Sequence, residues 1–260
     1  MESQVIQDLG DELFQALGGR RTVAPLTERF DAITVDDAYR ISLHILQRRL
    51  ARGETVIGKK IGVTSQAVQK MLGVYQPDFG FLTDAMAVPD GAAIRADDPF
   101  IQPRAEGEVA FRLKHDLTGP GVDAAAVAAA TDAVFACIEI VDSRIRDWNI
   151  AIQDTVADNA SCGAFVLGSH ACPLDGLELD TITGAFEKNG MHLATGRGDA
   201  VAGSPLASVA WLANTLGGYG MALHAGEIIL SGSLVPLEPV AAGDHFRFTL
   251  DGVGSCDVRF

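Results

Sequence analysis

RAEGEVAF, residues 104–111, has the apolar residues of a buried strand but carries two glutamates two positions apart. Side chains alternate faces along a strand, so Glu106 and Glu108 share one side while Val109 and Phe111 take the other. Two like charges about 4 Å apart repel by roughly 4 kcal/mol at an effective dielectric near 20. A neutralising partner is therefore expected. AVFACIEIVD (133–142) sets a third acid, Glu139, at the centre of another apolar strand. Carboxylates are rarely buried unless they are paired or bound to metal. A hard divalent cation is the economical partner for three of them, because it takes oxygen ligands. Three carboxylates leave room in an octahedral shell for a bidentate substrate and one water. Mg²⁺ often takes fewer carboxylates than this, so Mn²⁺ fits as well. The alternative is an edge strand on which Glu106 and Glu108 face solvent or pair with Arg104 and Arg112. No His-x-His or HExxH pattern surrounds any of the six histidines, which argues against zinc.

The rest of the composition is that of an ordinary globular chain. Its 260 residues are enough to bury roughly 70–75% of the extended surface without disulfide staples. A net charge of −14 argues against nucleic acid and anionic membranes as partners. The cysteines (Cys137, Cys162, Cys172 and Cys256) show neither CxxC nor a disulfide framework, as expected of a reduced cytoplasmic protein. MESQVIQDLGDELF has no basic segment ahead of an apolar core, so no signal peptide is expected.

Val5, Leu9, Leu13 and Leu17 form an i, i+4 stripe ending at Gly18-Gly19, which predicts a helix over 3–17. Thr34 is placed to cap a second helix with acids in its first turn and arginines in its last. A strand is expected in TVIGKKIGVT and a short helix through SQAVQKMLG, with QPDFG and DAM as turns. Beyond residue 80 the pattern becomes short strands, many glycines and a few helices. Asp123 starts an alanine-rich helix, Ser204-Pro205 opens another, and HFRFTLDGVGSCDVRF alternates around an Asp-Gly turn as a hairpin. The expected fold is mixed α+β, with a mainly helical region over 1–79 leaning on a β-rich domain over 80–260 that carries the candidate metal-binding glutamates.

Other residues invite a chemical reading beside a plainer one. Strand alternation puts Lys60 on one face with Gly58 and Gly62, which would leave space above it for a ligand; a surface lysine beside Lys59 is the plain alternative. Asp78 in QPDFG is either a turn cap or a proton carrier. DTVADNASCG (154–163) gathers Asp154, Asp158, Asn159 and Ser161, as a polar turn or helix cap also would. GRGDAVAG (196–203) has neither Rossmann nor P-loop spacing, so nucleotide binding is not supported.

Six stretches together resemble the 2-keto-4-pentenoate (2-hydroxypenta-2,4-dienoate) hydratases of the fumarylacetoacetase-like superfamily. They are GKKIGVTSQAVQKMLGVYQPDFGFL (58–82), QPRAEGEVAF (102–111), EIVDSRIRDW (139–148), DTVADNASCG, WLANTLGGYGMALHAGEIILSGSL (211–234) and GVGSCDVRF (252–260). The resemblance runs from about residue 22 to the end. RDW followed by DTVADNASCG is its specific part, whereas E-x-E…E marks only the superfamily.

This resemblance implies a rolled β-sandwich core and a divalent metal, Mg²⁺ or Mn²⁺, on Glu106, Glu108 and Glu139. It also implies substrate-binding and proton-handling roles for Lys60, Asp78 and Ser161. The reaction implied is hydration of 2-hydroxypenta-2,4-dienoate to 4-hydroxy-2-oxopentanoate in aromatic meta-cleavage catabolism. A similar 4-oxalocrotonate decarboxylase is the nearest rival, and Asp78 favours the hydratase over it. A longer dicarboxylate substrate would need an extra cation, for which Arg104, Arg144 and Arg146 are candidates. A non-catalytic partner of a hydratase–decarboxylase complex is the alternative from a different class. The resemblance further implies a pentamer-based homo-oligomer that associates with a pathway decarboxylase or aldolase.

Overall fold

Thr34 opens a helix because its hydroxyl accepts the Asp37 N–H at 3.1 Å while the Asp37 carboxylate accepts the Thr34 N–H. That helix, α3 (Val35–Leu50), packs its apolar side on α1 (Ser3–Gly18), and the single turn α2 (Leu26–Arg29) lies between them in sequence. In this computed structural model, residues 1–66, 69, 70, 74–97 and 99–260 are described. The helix expected through SQAVQKMLG (65–73) falls largely on 67, 68 and 71–73, outside the described residues.

Two sheets follow. The larger is built from β1 (Val56–Gly62), β2 (Asp78–Thr83), β3 (Ala87–Val88), β4 (Arg104–Leu113), β5 (Thr131–Val141), β6 (Cys162–Leu167) and β9 (Ile228–Ser233), in the order β2-β1-β9-β4-β5-β6-β3. The two-residue β10 (Glu238–Pro239) pairs with β4 as its eighth strand. The smaller sheet runs β12-β11-β7-β8, from β7 (Thr183–Lys188), β8 (Met191–Arg197), β11 (His245–Leu250) and β12 (Gly254–Arg259). The last two strands form the expected hairpin, with Leu250 opposite Gly254 across the turn. Because β1 sits between β2 and β9, the chain enters the large sheet at residue 56, ahead of residue 79.

The expectation of a turn at QPDFG is corrected: Asp78 is the first residue of β2 and pairs with Gly62 of β1. DAM is a 3₁₀ turn, as expected. AAAVAAATDAVFACIEIV divides into α4 (Ala124–Ala130), capped by the Asp123 carboxylate, and then β5 with no loop between. Two further helices are α5 (Ile152–Ala157) and α6 (Pro205–Gly218), the latter with its proline in the first turn.

Alternation along β4 decides which face does what. On one side Gly107 lies so close to the Phe248 ring of β11 that an added Cβ would sit 2.4 Å from it. There the small sheet closes over Val109 and Phe111, and Phe248 packs edge-on to Phe186. The opposite face carries a smaller apolar cluster that includes Ala110, Phe135, Cys137, Phe165 and Leu230. Glu106 and Glu108 share that second face with Ala110.

Candidate active site

β4 and β5 pair antiparallel in a register that puts Glu106 opposite Glu139 and Glu108 opposite Cys137. The three glutamates are thereby brought onto neighbouring strands of one face, and each offers an oxygen within 4.8 Å of the others. All three are buried, Glu108 and Glu139 completely. The edge-strand alternative fails because β4 is flanked by β5 and β9, and Arg112 pairs with Asp132. Glu108 Oε2 accepts the Gly232 N–H at 2.8 Å, but its Oε1 and both oxygens of Glu139 have no hydrogen bond. Burial, followed by the charge of Glu139, pushes Glu106 up to about 8 and Glu108 well above the ordinary carboxylate range. Buried carboxylates with orphaned oxygens and hard donor chemistry fit a divalent cation.

Lys60 Nζ lies 3.3 Å from Glu139 Oε1, and its side chain is buried. Burial works against its charge, yet Glu139, Asp78 and Glu106 outweigh that and hold its pKa above the ordinary lysine value. Asp78 is also buried, with no hydrogen bond to either oxygen; burial raises its pKa against the pull of Lys60. Gly58 and Gly62 share this face, and Lys60 and Gly62 line a cavity as the spacing suggested, but the space directly over the glycines is taken by neighbours. A Cβ on Gly58 would strike the Ile228 carbonyl of β9 at 1.9 Å, and one on Gly62 would lie 2.4 Å from Asp78 Oδ1 and 3.2 Å from Lys60 Nζ. The glycines instead admit a neighbouring strand and the Asp78 carboxylate. Lys59, on the other face, makes a separate buried pair with Glu227 at 2.7 Å.

Asp154, Asp158, Asn159 and Ser161 of DTVADNASCG have different tasks. Asp154 accepts the N–H groups of Leu26 and Thr27 at 2.6 and 3.1 Å, anchoring the start of α2. Asp158 is buried against the Arg144 guanidinium and accepts the Arg144 N–H at 2.7 Å. The Asn159 side-chain amide bonds both the N–H and the carbonyl of Phe81, so it extends β2 like a short strand. Of these four, Ser161 lines the cavity, with its hydroxyl 3.3 Å from that of Thr155, which lines it too. Asn159, Ala160 and Ser161 all have left-handed φ, near 55°, 50° and 54°. Three such residues in a row carry backbone strain that the Asn159 clamp and the Asp158–Arg144 pair hold in place.

A cavity of about 510 Å³ opens beside these groups. Lys60, Asp78, Glu106, Thr155 and Ser161 line its polar end, while Val141, Ile150, Leu234 and Leu237 contribute to its apolar wall. Of the three arginines considered for a second carboxylate, Arg144 is consumed by Asp158 and by the Asp142 and Cys162 carbonyls, and Arg146 is exposed. Arg104 alone of the three lines the cavity. Sequence reasoning gave no site role to Thr155 or Trp148, although both lie in DTVADNASCG or EIVDSRIRDW; what places them at the cavity is the path of the strained 146–148 and 159–161 turns. Replacing Arg144 by Met is expected to cost about 3–5 kcal/mol by stranding Asp158 without its partner, read as a lower urea midpoint.

The fumarylacetoacetate hydrolase C-terminal family matches residues 56–260. A 2-hydroxyhexa-2,4-dienoate hydratase of Comamonas testosteroni is 56% identical over 260 residues, covering 100% of this chain and 98% of the relative. A 2-hydroxypent-2,4-dienoate hydratase of Pseudomonas putida is 61% identical over 222 residues, covering 85% of this chain and 100% of the relative. Among solved structures, the 4-oxalocrotonate decarboxylase of Pseudomonas putida G7, complexed with magnesium and adipate, superposes with a TM-score of 0.97 at 35% identity, covering 100% of this chain and 98% of that one. The match over β1 to β12, which includes all three glutamates, places this chain in the fumarylacetoacetate hydrolase C-terminal family.

Proposed function

We propose that this protein is a divalent-metal-dependent hydratase that converts 2-hydroxypenta-2,4-dienoate, or its close homologue with one more carbon, to the corresponding 4-hydroxy-2-oxo acid. The convergence of three buried glutamates, Glu108 and Glu139 with orphaned oxygens, beside Lys60 and Asp78 carries the proposal. The names of the two hydratase relatives support the substrate class. Glu106, Glu108 and Glu139 would hold Mg²⁺ or Mn²⁺, and the magnesium bound to the similar decarboxylase supports that choice. When bound there, the ion supplies Lewis acidity toward the substrate's C1 carboxylate and C2 oxygen.

The chain's own residues handle the protons. The dienol loses its hydroxyl proton and gains one at C5, giving the conjugated 2-oxo-3-enoate. Water then bonds to C4 through its oxygen and gives up one proton while C3 gains one, so the sum is addition of one water with nothing released. Asp78, whose burial favours its protonated form, carries protons or orients the water. Lys60 keeps its charge through Glu139 and holds the carboxylate or the C2 oxygen. Ser161, beside Thr155, donates a hydrogen bond to substrate or water. The apolar wall takes the hydrocarbon end and limits water to the reacting side.

Stripping with a chelator is expected to abolish turnover, and Mg²⁺ or Mn²⁺ to restore it; full activity after stripping would contradict the proposal. We further infer a cytoplasmic, pentamer-based homo-oligomer that associates with a pathway decarboxylase or aldolase. The four free thiols support the location, and the family resemblance supports the assembly. Among the described residues, no helix is long and apolar enough to cross a membrane. A monomer mass by light scattering would contradict the assembly.

A further inference from the structure

Consecutive lysines of β1 point to opposite faces of the large sheet, Lys60 toward the glutamates and Lys59 away from them, alongside Ile61 and Ile229. Lys59 Nζ donates to both carboxylate oxygens of Glu227 at 2.7 Å, and both side chains are buried. Glu227 Oε2 also accepts the His224 N–H at 3.0 Å, and the Glu227 carbonyl accepts the Leu113 N–H at 3.1 Å. Glu227 immediately precedes β9 and Leu113 ends β4, so this one residue joins β1, β9 and β4. Neither Lys59 nor Glu227 lines the cavity.

Two charges taken out of water gain little net stability, since uncharged side chains of similar volume often pack as well. What such a pair does supply is a unique alignment. The seam it spans needs one. β1 meets β9 over three residue pairs, Gly58 with Ile228, Lys59 with Ile229 and Lys60 with Leu230, in the parallel arrangement that is slightly weaker per residue. Two parts of the site stand across this seam: Lys60 on β1 is 3.3 Å from Glu139, and Gly232 on β9 donates its N–H to Glu108 at 2.8 Å. A one-residue slip of β1 would turn Lys60 to the far face and set Lys59 in its place, a change that two adjacent lysines do little to oppose. Gly58 opposes it sterically, through its close approach to the Ile228 carbonyl. Glu227 opposes it by charge, because the lysine on its face would then lie about 7 Å further along the strand. We propose that Lys59 and Glu227 are positioning residues of the site: their pair aligns β1 on β9 and so holds the Lys60 ammonium against Glu139 from the opposite face of the sheet. The alignment matters for turnover through the task given to Lys60, which rests on the hydratase proposal above.

Lys59→Met combined with Glu227→Gln removes both charges and keeps an acceptor for the His224 N–H, whereas Lys59→Arg keeps a cation that bonds both oxygens of Glu227. The uncharged double variant is expected to melt within a few degrees of the unsubstituted protein. Its kcat on the Mg²⁺-loaded protein falls at least about tenfold, because a misplacement of about 1 Å costs up to about a hundredfold. Lys59→Arg keeps kcat within about threefold. A crystal structure of the double variant is expected to show Lys60 Nζ withdrawn by about 1 Å or more from its place beside Glu139 Oε1. An unchanged kcat in the double variant, the same loss in Lys59→Arg, or Lys60 still in place would each overturn the proposal. A pair that only stabilised the fold would lower the melting temperature and leave Lys60 where it is. If the unsubstituted protein does not hydrate the dienoate, the reaction is refuted, and the position of Lys60 in crystals of the two variants decides the role of the pair by itself.

Discussion

Glu139→Gln is expected to remove divalent-metal binding and to lower kcat by at least about a thousandfold. Glu139 is completely buried, opposite Glu106 and 3.3 Å from Lys60, so the isosteric amide keeps the packing and loses only the charge. Lewis-acid stabilisation of developing charge is worth several kcal/mol, and each 1.36 kcal/mol is about a tenfold change in rate. The fold itself should tolerate the change. Removing one of three mutually repelling carboxylates offsets the loss of Lys60's partner, and Asp78 and Glu106 still face the ammonium. The check is calorimetric titration with Mg²⁺ and Mn²⁺ beside a thermal melt without metal. Retained metal affinity in a folded variant would refute the triad as the metal site.

Asp78→Asn separates proton handling from metal binding. The amide occupies the same volume between Gly62 and Lys60 but neither accepts nor releases a proton in the working range. A positioned acid or base contributes typically about 10²–10⁴-fold, so kcat should fall by that factor while metal affinity stays within a fewfold. Asp78 is not one of the three converging glutamates, which is why the two properties should part. A variant with full activity would rule out the acid–base role.

The triad is legible in the sequence because two independent violations of burial chemistry point the same way. E-x-E in one apolar strand and a lone glutamate in CIEIV each put carboxylates where burial is expected. The helices capped by Thr34 and Asp123 are equally legible, because capping is decided within four residues of sequence. What local pattern does not supply is long-range. Asp78 reads as a turn between Pro77 and Gly80, yet its pairing with Gly62 makes it a strand residue. The glycines around Lys60 do mark a cavity wall, but that they also admit β9 and the Asp78 carboxylate is not readable from their spacing. Asp154, Asp158, Asn159 and Ser161 are near neighbours in sequence, and only their partners at Leu26, Arg144, Phe81 and Thr155 tell the anchor, the ion pair, the clamp and the site hydroxyl apart.

The most direct measurement mixes Mg²⁺-loaded protein with freshly generated 2-hydroxypenta-2,4-dienoate, follows its ultraviolet absorbance and weighs the product, with 4-oxalocrotonate run in parallel. A metal-dependent gain of one water by the dienoate is the predicted result. Loss of CO₂ from 4-oxalocrotonate with the dienoate untouched would contradict the hydratase and make the site a decarboxylase.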